Sequence, residues 1–350
     1  MIETSTVPEI LSRARKLIDQ GLHRAIDSLS MELRPLASYH LGWTDEQGRK
    51  IDGDQGKGIR PALAVLSAEA VGKPAEAGVL GAIAIELVHD FSLIHDDVID
   101  NDVERRHRQT VWALFGTGQA IILGDALNAL AMRIVLDPAL VGIRMAKETD
   151  SRSLAAAAKC LADATASMIS GQALDMAFEH LTEIDVAGCL AMEAGKTGAL
   201  LGCASSIGAI LAGAEEAQIT ALERYGIELG MAFQAVDDVL GIWGDPSATG
   251  KQTFSDLRQH KKTLPVAIAL TSKSKHVSEL SKLLTEEEIN EFDIERLAGL
   301  IEECGGKEAA LTEAKHRFES ALNVLKKVDL EPNAKNELVA LAHFIIDRKF

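Results

Sequence analysis

Between Gly78 and Asp100 the chain runs mostly apolar and then ends in three carboxylates, Asp96, Asp97 and Asp100. The length and apolar density of that run predict one long helix, buried through most of its course. On such a helix Asp96 and Asp100 lie one turn apart on the same face, with Asp97 beside them. Neighbouring carboxylates repel, and burial adds to their cost. The arrangement therefore demands a compensating cation, for which a divalent metal is the simplest candidate. Magnesium takes oxygen ligands octahedrally and usually keeps positions for substrate phosphates. A second pair, Asp237-Asp238, follows the apolar stretch Met231 to Val236 and raises the same demand. Gln234, three residues before this pair, would share its face, but position 241, one turn after Asp237, is Gly, so this second metal site is the weaker.

The rest of the chain reads as helix. Residues 8–38 show apolar spacing of three and four, 44–58 is a polar Gly-rich loop, and Pro61 opens a helix. The charged segment 101–110 leaves the aspartate helix as a loop. Further helices are predicted over 113–136, 153–178, 185–213 and 215–243, with a break at Gly244 to Gly250. The final 75 or so residues read as charged amphipathic helices whose role is packing. Aromatics make up only 4% of the 350 residues, which favours close-packed helices over a sandwich of sheets. The fold class expected is all-α, a single domain over 1–350.

A net charge of −16 argues against nucleic acid or an anionic membrane surface as partner. Local basic groups in so acidic a chain then suggest small-anion sites. Arg105 and Arg106 follow the first aspartates; Lys251 and Lys261 follow the second; Lys57 and Arg60 lie on the early loop; Lys196-Thr197 precedes an uncharged stretch. Arg grips phosphate oxygens bidentately and Lys as a point charge. Arg108, Arg258 and Lys262 are expected only in surface salt bridges. Metal-holding carboxylates beside phosphate-holding cations fit a diphosphate ester. His89-Asp90 and His95-Asp96 also suggest a helical metal-dependent phosphohydrolase, but the two histidines stand about 120° apart on a helix. The four cysteines lack metal or disulfide spacing and are expected as reduced thiols. The uncharged segment 197–214 reads as a buried helix, not a membrane span, and the N-terminus lacks signal-peptide features. The expected location is the cytoplasm.

Taken together these motifs resemble the trans-type isoprenyl (polyprenyl) diphosphate synthases, most nearly the bacterial geranylgeranyl diphosphate synthases. The resemblance runs from Gly56 to Pro265. It rests on Gly56-Lys57 with Arg60-Pro61, on Asp96-Asp97-Asp100 with Arg105-Arg106, and on Phe233-Gln234 with Asp237-Asp238. Gly244-Asp245-Pro246, Gly250-Lys251, Asp256-Leu257 and Lys261 continue it, and His89, Gln172 and Lys196-Thr197 match in residue type. The family implies a helical bundle around a central active-site cavity, usually a homodimer. It implies that Asp96, Asp100 and Asp237 hold a cluster of magnesium ions, three with substrate bound. Asp97 and Asp238 complete the two motifs. Arg105, Lys196, Lys251 and Lys261 would clamp the allylic diphosphate (dimethylallyl, geranyl or farnesyl); Thr197 and Gln234 would also face it. Lys57, Arg60, His89 and Arg106 would hold isopentenyl diphosphate. Three positions depart from the family: Gly241 replaces an Asp, while His107 and Phe254 replace glycines.

Phe91 and Ser92 lie five and four residues before Asp96, roughly 6–7.5 Å back along the axis. One aromatic beside a small residue resembles geranylgeranyl diphosphate synthases, so the expected product is C20, with C15 second. A class I terpene cyclase is the nearest rival, since it shares fold and metal but needs no isopentenyl diphosphate site.

Overall fold

The computed structural model describes residues 5–142, 149–181, 184–246, 253–286 and 290–347. They form two compact units: residues 1–163, 203–223 and 328–340 belong to one, and 164–202, 224–327 and 341–350 to the other. Among the described residues the chain is all-α apart from one short hairpin and an isolated bridge between Thr44 and Lys50.

In the first unit α1 (Val7–Asp27) begins with a capping box, the Thr6 amide and hydroxyl both donating to the Glu9 carboxylate. The single helix expected over 8–38 is in fact two. Ser28 turns its hydroxyl back onto the Ala25 carbonyl at 2.7 Å, and α2 (Leu33–His40) follows after a buried Leu29. Next come α3 (Ile59–Ala70) and α4 (Val79–Ile99), the aspartate helix. Many of its apolar residues, among them Leu80, Ile83 and Leu87, are fully buried. It packs along α6 (Thr117–Leu136). A short α5 (Val111–Phe115) precedes α6, the break falling at Gly116, whose φ of 93° ordinary residues avoid.

The charged segment expected as a loop carries a minimal hairpin. Glu104 pairs with Gln109 and Arg105 with Arg108, joined by Arg106 and His107 at φ 52° and 59°. Both central residues have the left-handed backbone that a two-residue hairpin needs. The resemblance expects glycine at 107, and the hairpin supplies the reason. Phe254, the other departure of this kind, also sits at positive φ, 63°. Each keeps a glycine-like backbone at a strain of about 1 kcal/mol, so the local geometry survives the substitution.

Three long helices, α7 (Ser151–His180), α9 (Ala199–Leu211) and α10 (Glu216–Trp243), are divided between the units, as is the last helix, Pro332–Ile346. The helix expected over 185–213 is α8 (Val186–Glu193) followed by a π-turn, Ala194–Gly198, before α9. Such turns occur often at functional sites, and this one carries Lys196 and Thr197. In the second unit Phe178, Cys189, Val236, Val239, Leu240 and Leu264 form one core cluster. A second cluster includes Ile242, Leu257, Leu280 and Leu297.

Among the described residues three helical stretches are long and apolar enough to cross a membrane: Ala75–Ile99, Thr117–Leu136 and Val186–Leu211. Their apolar windows are 72%, 44% and 78% buried within the chain, so the first and third are largely accounted for by packing. All four cysteines are free thiols, as expected.

Candidate active site

In the first unit the last turn of α4 presents Asp96 and Asp100, both half-buried, while Asp97 turns inward and is only 2% exposed. Asp97 accepts a 2.7 Å hydrogen bond from Arg105 Nε. Burial raises its pKa above the usual carboxylate range, and Arg105 works against that rise. The three aspartates are thus unequal: Asp97 ties the hairpin to the helix, leaving Asp96 and Asp100 as the pair one turn apart. Among the described residues no group of three Asp, Glu, His or Cys side chains is already placed to hold a metal ion. Two carboxylates on one face still suit magnesium, which commonly takes one or two protein carboxylates and fills its shell with water and substrate phosphate.

The basic residues expected at the isopentenyl diphosphate site do come together. Arg60 Nη1 lies 3.1 Å from His89 Nε2. Guanidinium can only donate, so Nε2 accepts and the imidazole is neutral with its proton on Nδ1. Burial, then the charges of Arg60, Arg106 and Arg105, pushes His89 well below the ordinary histidine range. Arg106 packs on Gly56: a Cβ there would stand 2.6 Å from Arg106 Nη2. Lys57 is exposed on the same loop. Asp97, Arg105, Arg106, His40 and Asp54 line one concavity of mixed charge.

Two acidic groups there, Asp90 and Glu86, have no site role expected from the sequence. Asp90 is buried, with one oxygen 3.3 Å from His40 Nε2 and the other unpartnered among the described residues. Glu86 is pushed up to about 8, first by burial, then by Asp90, against the attraction of Arg60, Arg106 and Arg15. A folded-state value above the unfolded one means that Glu86 contributes stability below pH 4.5, lost as pH rises through about 8. Glu86→Gln should therefore gain in melting temperature over the parent on going from pH 5 to pH 8, by an amount worth a few kcal/mol at most. Parallel melting curves at the two pH values check this; an equal offset at both would contradict it.

In the second unit a relay runs through the π-turn. Thr197 Oγ1 donates to Gln234 Oε1 at 2.7 Å, and Gln234 Nε2 donates to Asp238 Oδ1 at 2.8 Å. The Leu264 amide donates to Asp238 Oδ2 at 2.9 Å. Asp238 is buried and raised to about 7, chiefly by desolvation, against these hydrogen bonds. Beside it Glu193, wholly buried, is pushed well above the ordinary carboxylate range, first by burial and then by Asp238. Both Asp238 oxygens are engaged, so Asp237, half-buried, is the member of this pair suited to a metal. Lys196 Nζ pairs with Asp175 Oδ2 at 2.5 Å. Gly171 permits that approach, since a Cβ there would meet the Lys196 amide at 2.2 Å. The neighbouring Gln172 leaves a buried oxygen unpartnered among the described residues. Lys261 is half-buried, whereas Lys251 and Gly250 lie outside the described residues.

Gly241 has a structural reason. A Cβ at this position would stand 2.0 Å from Asp256 Oδ2, so the Asp256 carboxylate fills the room that an aspartate side chain would need. The Ser255 hydroxyl donates to the Gly241 carbonyl at 3.2 Å and braces this contact. Of the three excluded basic residues, only Arg258 makes the salt bridge expected of it among the described residues; Arg108 and Lys262 are held by backbone carbonyls instead. Arg108 donates to the carbonyls of Tyr39 and Thr44, Arg258 pairs with Glu291, and Lys262 donates to carbonyls at the end of α7.

The chain is similar to known proteins over nearly its whole length. The chain is 41% identical over 348 residues to a (2E,6E)-farnesyl diphosphate synthase of Mycobacterium tuberculosis, covering 98% of this chain and 94% of that protein. It is also 41% identical over 341 residues to a geranylgeranyl diphosphate synthase of the same organism, covering 97% and 93%. A solved polyprenyl synthetase from Streptomyces coelicolor A3(2) superposes with a TM-score of 0.87 at 47% identity, covering 97% of this chain and 99% of that one. The family model for polyprenyl synthetases matches residues 42–301, beyond both ends of the motif-bearing stretch. The chain belongs to the polyprenyl synthetase family.

Proposed function

We propose that the chain is a magnesium-dependent trans-prenyltransferase that condenses isopentenyl diphosphate with an allylic diphosphate, head to tail, and releases diphosphate. The observation that carries this reading is the Arg60–His89 contact, with Arg106 on Gly56, in the same unit as Asp96 and Asp100. An elongating enzyme needs this separate cationic site for a second diphosphate; a terpene cyclase does not.

In this reading Asp96, Asp100 and Asp237 hold magnesium, three ions with substrate present, and Lys196, Arg105, Lys251 and Lys261 bind the allylic diphosphate. Bound magnesium supplies Lewis-acid stabilisation of the charge that develops on the leaving diphosphate. Arg105 stays oriented by Asp97, so its remaining donors need no reorganisation when that charge appears. Lys57, Arg60 and Arg106 hold isopentenyl diphosphate, and the Nδ1–H of neutral His89 is available to donate to it. The isopentenyl double bond attacks the allylic cation, and the new cation loses a proton, which the released diphosphate accepts. Dry apolar walls protect the cation from water.

The proposed product is geranylgeranyl diphosphate, with farnesyl diphosphate second. The Phe91 ring is buried and meets His95 edge-on at 4.9 Å, while Ser92 donates to the His89 carbonyl at 2.8 Å. Phe91 thus presents a fixed bulk just behind the aspartates, the place where a growing chain would stop. Phe91→Ala should shift the product distribution towards longer chains, read by chromatography of the dephosphorylated alcohols. Unchanged chain lengths would remove Phe91 from this role.

The same proposal takes residues 1–350 as one functional domain, since the family match crosses both units. It places the protein in the cytoplasm without a membrane span, as a homodimer. Ile121 and Ile122, 43% and 54% exposed on the apolar α6, suit burial against a second copy. Labelled isopentenyl diphosphate incubated with each allylic primer tests the reaction. Longer, label-bearing, acid-labile diphosphates are expected; unlabelled hydrocarbons would favour cyclisation.

A further inference from the structure

Arg15, on α1, has no part in the roles described so far, yet it touches the loop that carries Lys57. Its guanidinium donates to the Gly56 carbonyl. It also lies beside Gly58, where a Cβ would stand 3.6 Å from Arg15 Nη2. Gly56 is held at its other points too. Its amide donates to Asp54 Oδ1 at 2.7 Å, and its Cα faces Arg106. Gly56 and Gly58 both have positive φ, 77° and 69°, on either side of Lys57. A turn built from two glycines is intrinsically loose, because glycine loses more backbone freedom on ordering than any other residue. Arg15 and Glu86 line a recess behind this turn together with Gln55, Gly58 and Pro61. Glu86 attracts Arg15 as it does Arg60 and Arg106.

We infer that Arg15 is a positioning residue for isopentenyl diphosphate: it pins the Gly56-Lys57-Gly58 turn through the Gly56 carbonyl, so that Lys57 meets the diphosphate already ordered. The inference rests on the assignment of Lys57, Arg60, His89 and Arg106 to that substrate. The energetic logic is pre-organisation, since a loop ordered before binding does not charge its ordering entropy to affinity. Arg15 itself touches no reacting atom, so its loss should weaken one substrate and spare the chemistry.

Steady-state kinetics on Arg15→Met, Arg15→Lys and Lys57→Ala, with each substrate varied in turn, test it. Arg15→Met should raise the KM for isopentenyl diphosphate about tenfold, the loss of one charge-assisted hydrogen bond. The KM for the allylic diphosphate and kcat should stay within about twofold. Arg15→Lys should restore part of the difference, because an ammonium can still donate to the carbonyl. In the Lys57→Ala background the Arg15→Met effect should shrink to about twofold or less, the coupling expected of residues that act through one another. A Lys57→Ala protein with raised isopentenyl diphosphate KM beside an Arg15→Met protein with unchanged KM would overturn the inference alone. So would equal losses in kcat and both KM values, in Met and Lys variants alike, with a lowered melting temperature. An unchanged isopentenyl diphosphate KM in Lys57→Ala would overturn the Lys57 assignment and this inference with it.

Discussion

Asp96→Asn is expected to lower kcat for condensation by about a thousandfold or more, the equivalent of several kcal/mol of transition-state stabilisation by a metal. The argument turns on the inequality within the first cluster. Asp97 is buried and committed to Arg105, so its work is to hold the hairpin and the guanidinium in place. Asp96 and Asp100 share the outer face of the last turn of α4 and are the oxygens suited to a cation. Asparagine keeps the size of Asp96 but removes the charge and half the acceptor capacity. Rate measurements at saturating magnesium on Asp96→Asn and Asp97→Asn separate the two roles. The former should lose rate with little change in melting temperature, and the latter should lose both.

Arg105→Leu is expected to cost about 3 kcal/mol of stability near pH 8 besides abolishing most activity. Removing one partner of a buried ion pair leaves the other charge uncompensated, which typically costs more than the pair contributed. Asp97 is only 2% exposed, so water cannot replace the guanidinium. Burial already raises Asp97 against the pull of Arg105, and without Arg105 it rises further. Asp97 then escapes part of the penalty by taking a proton. The stability loss in Arg105→Leu should accordingly be larger at pH 8 than at pH 5. Denaturant unfolding at both values measures it, and an equal loss would contradict the pairing as the cause.

Much of the first site is legible in sequence because it is local. The apolar run from Val79 and the one-turn spacing of Asp96 and Asp100 define α4 and its outward carboxylates without tertiary information. Residue types in the order Gly56-Lys57, Arg60, His89 and Arg106 likewise anticipate a cluster that the fold assembles. What depends on distant chain segments is not legible. Gly241 reads as a lost ligand until Asp256 is found filling its space. Arg15 reads as an ordinary polar residue of an amphipathic helix, because its contact with Gly56 spans a loop of unpredictable course. The helix break after Asp27 and the hairpin at 104–109 were missed for related reasons. A serine and a buried leucine are weak stop signals, and Arg106-His107 lacks the Asn-Gly chemistry that marks a two-residue turn. Asp90 lies in a run that reads as buried and Glu193 in one that gives no sign of burial; only the fold shows the upward push on Glu193 and the Asp90 oxygen left unpartnered among the described residues.

The central claim is that these carboxylates and cations serve a metal-dependent condensation of two diphosphates. The most direct measurement follows labelled isopentenyl diphosphate and released diphosphate together, with an allylic primer, in magnesium and again in excess EDTA. The account predicts one diphosphate released for each label incorporated in magnesium, abolition of both by EDTA, and recovery on adding magnesium back. Diphosphate release without label incorporation, or incorporation that persists in EDTA, would contradict it.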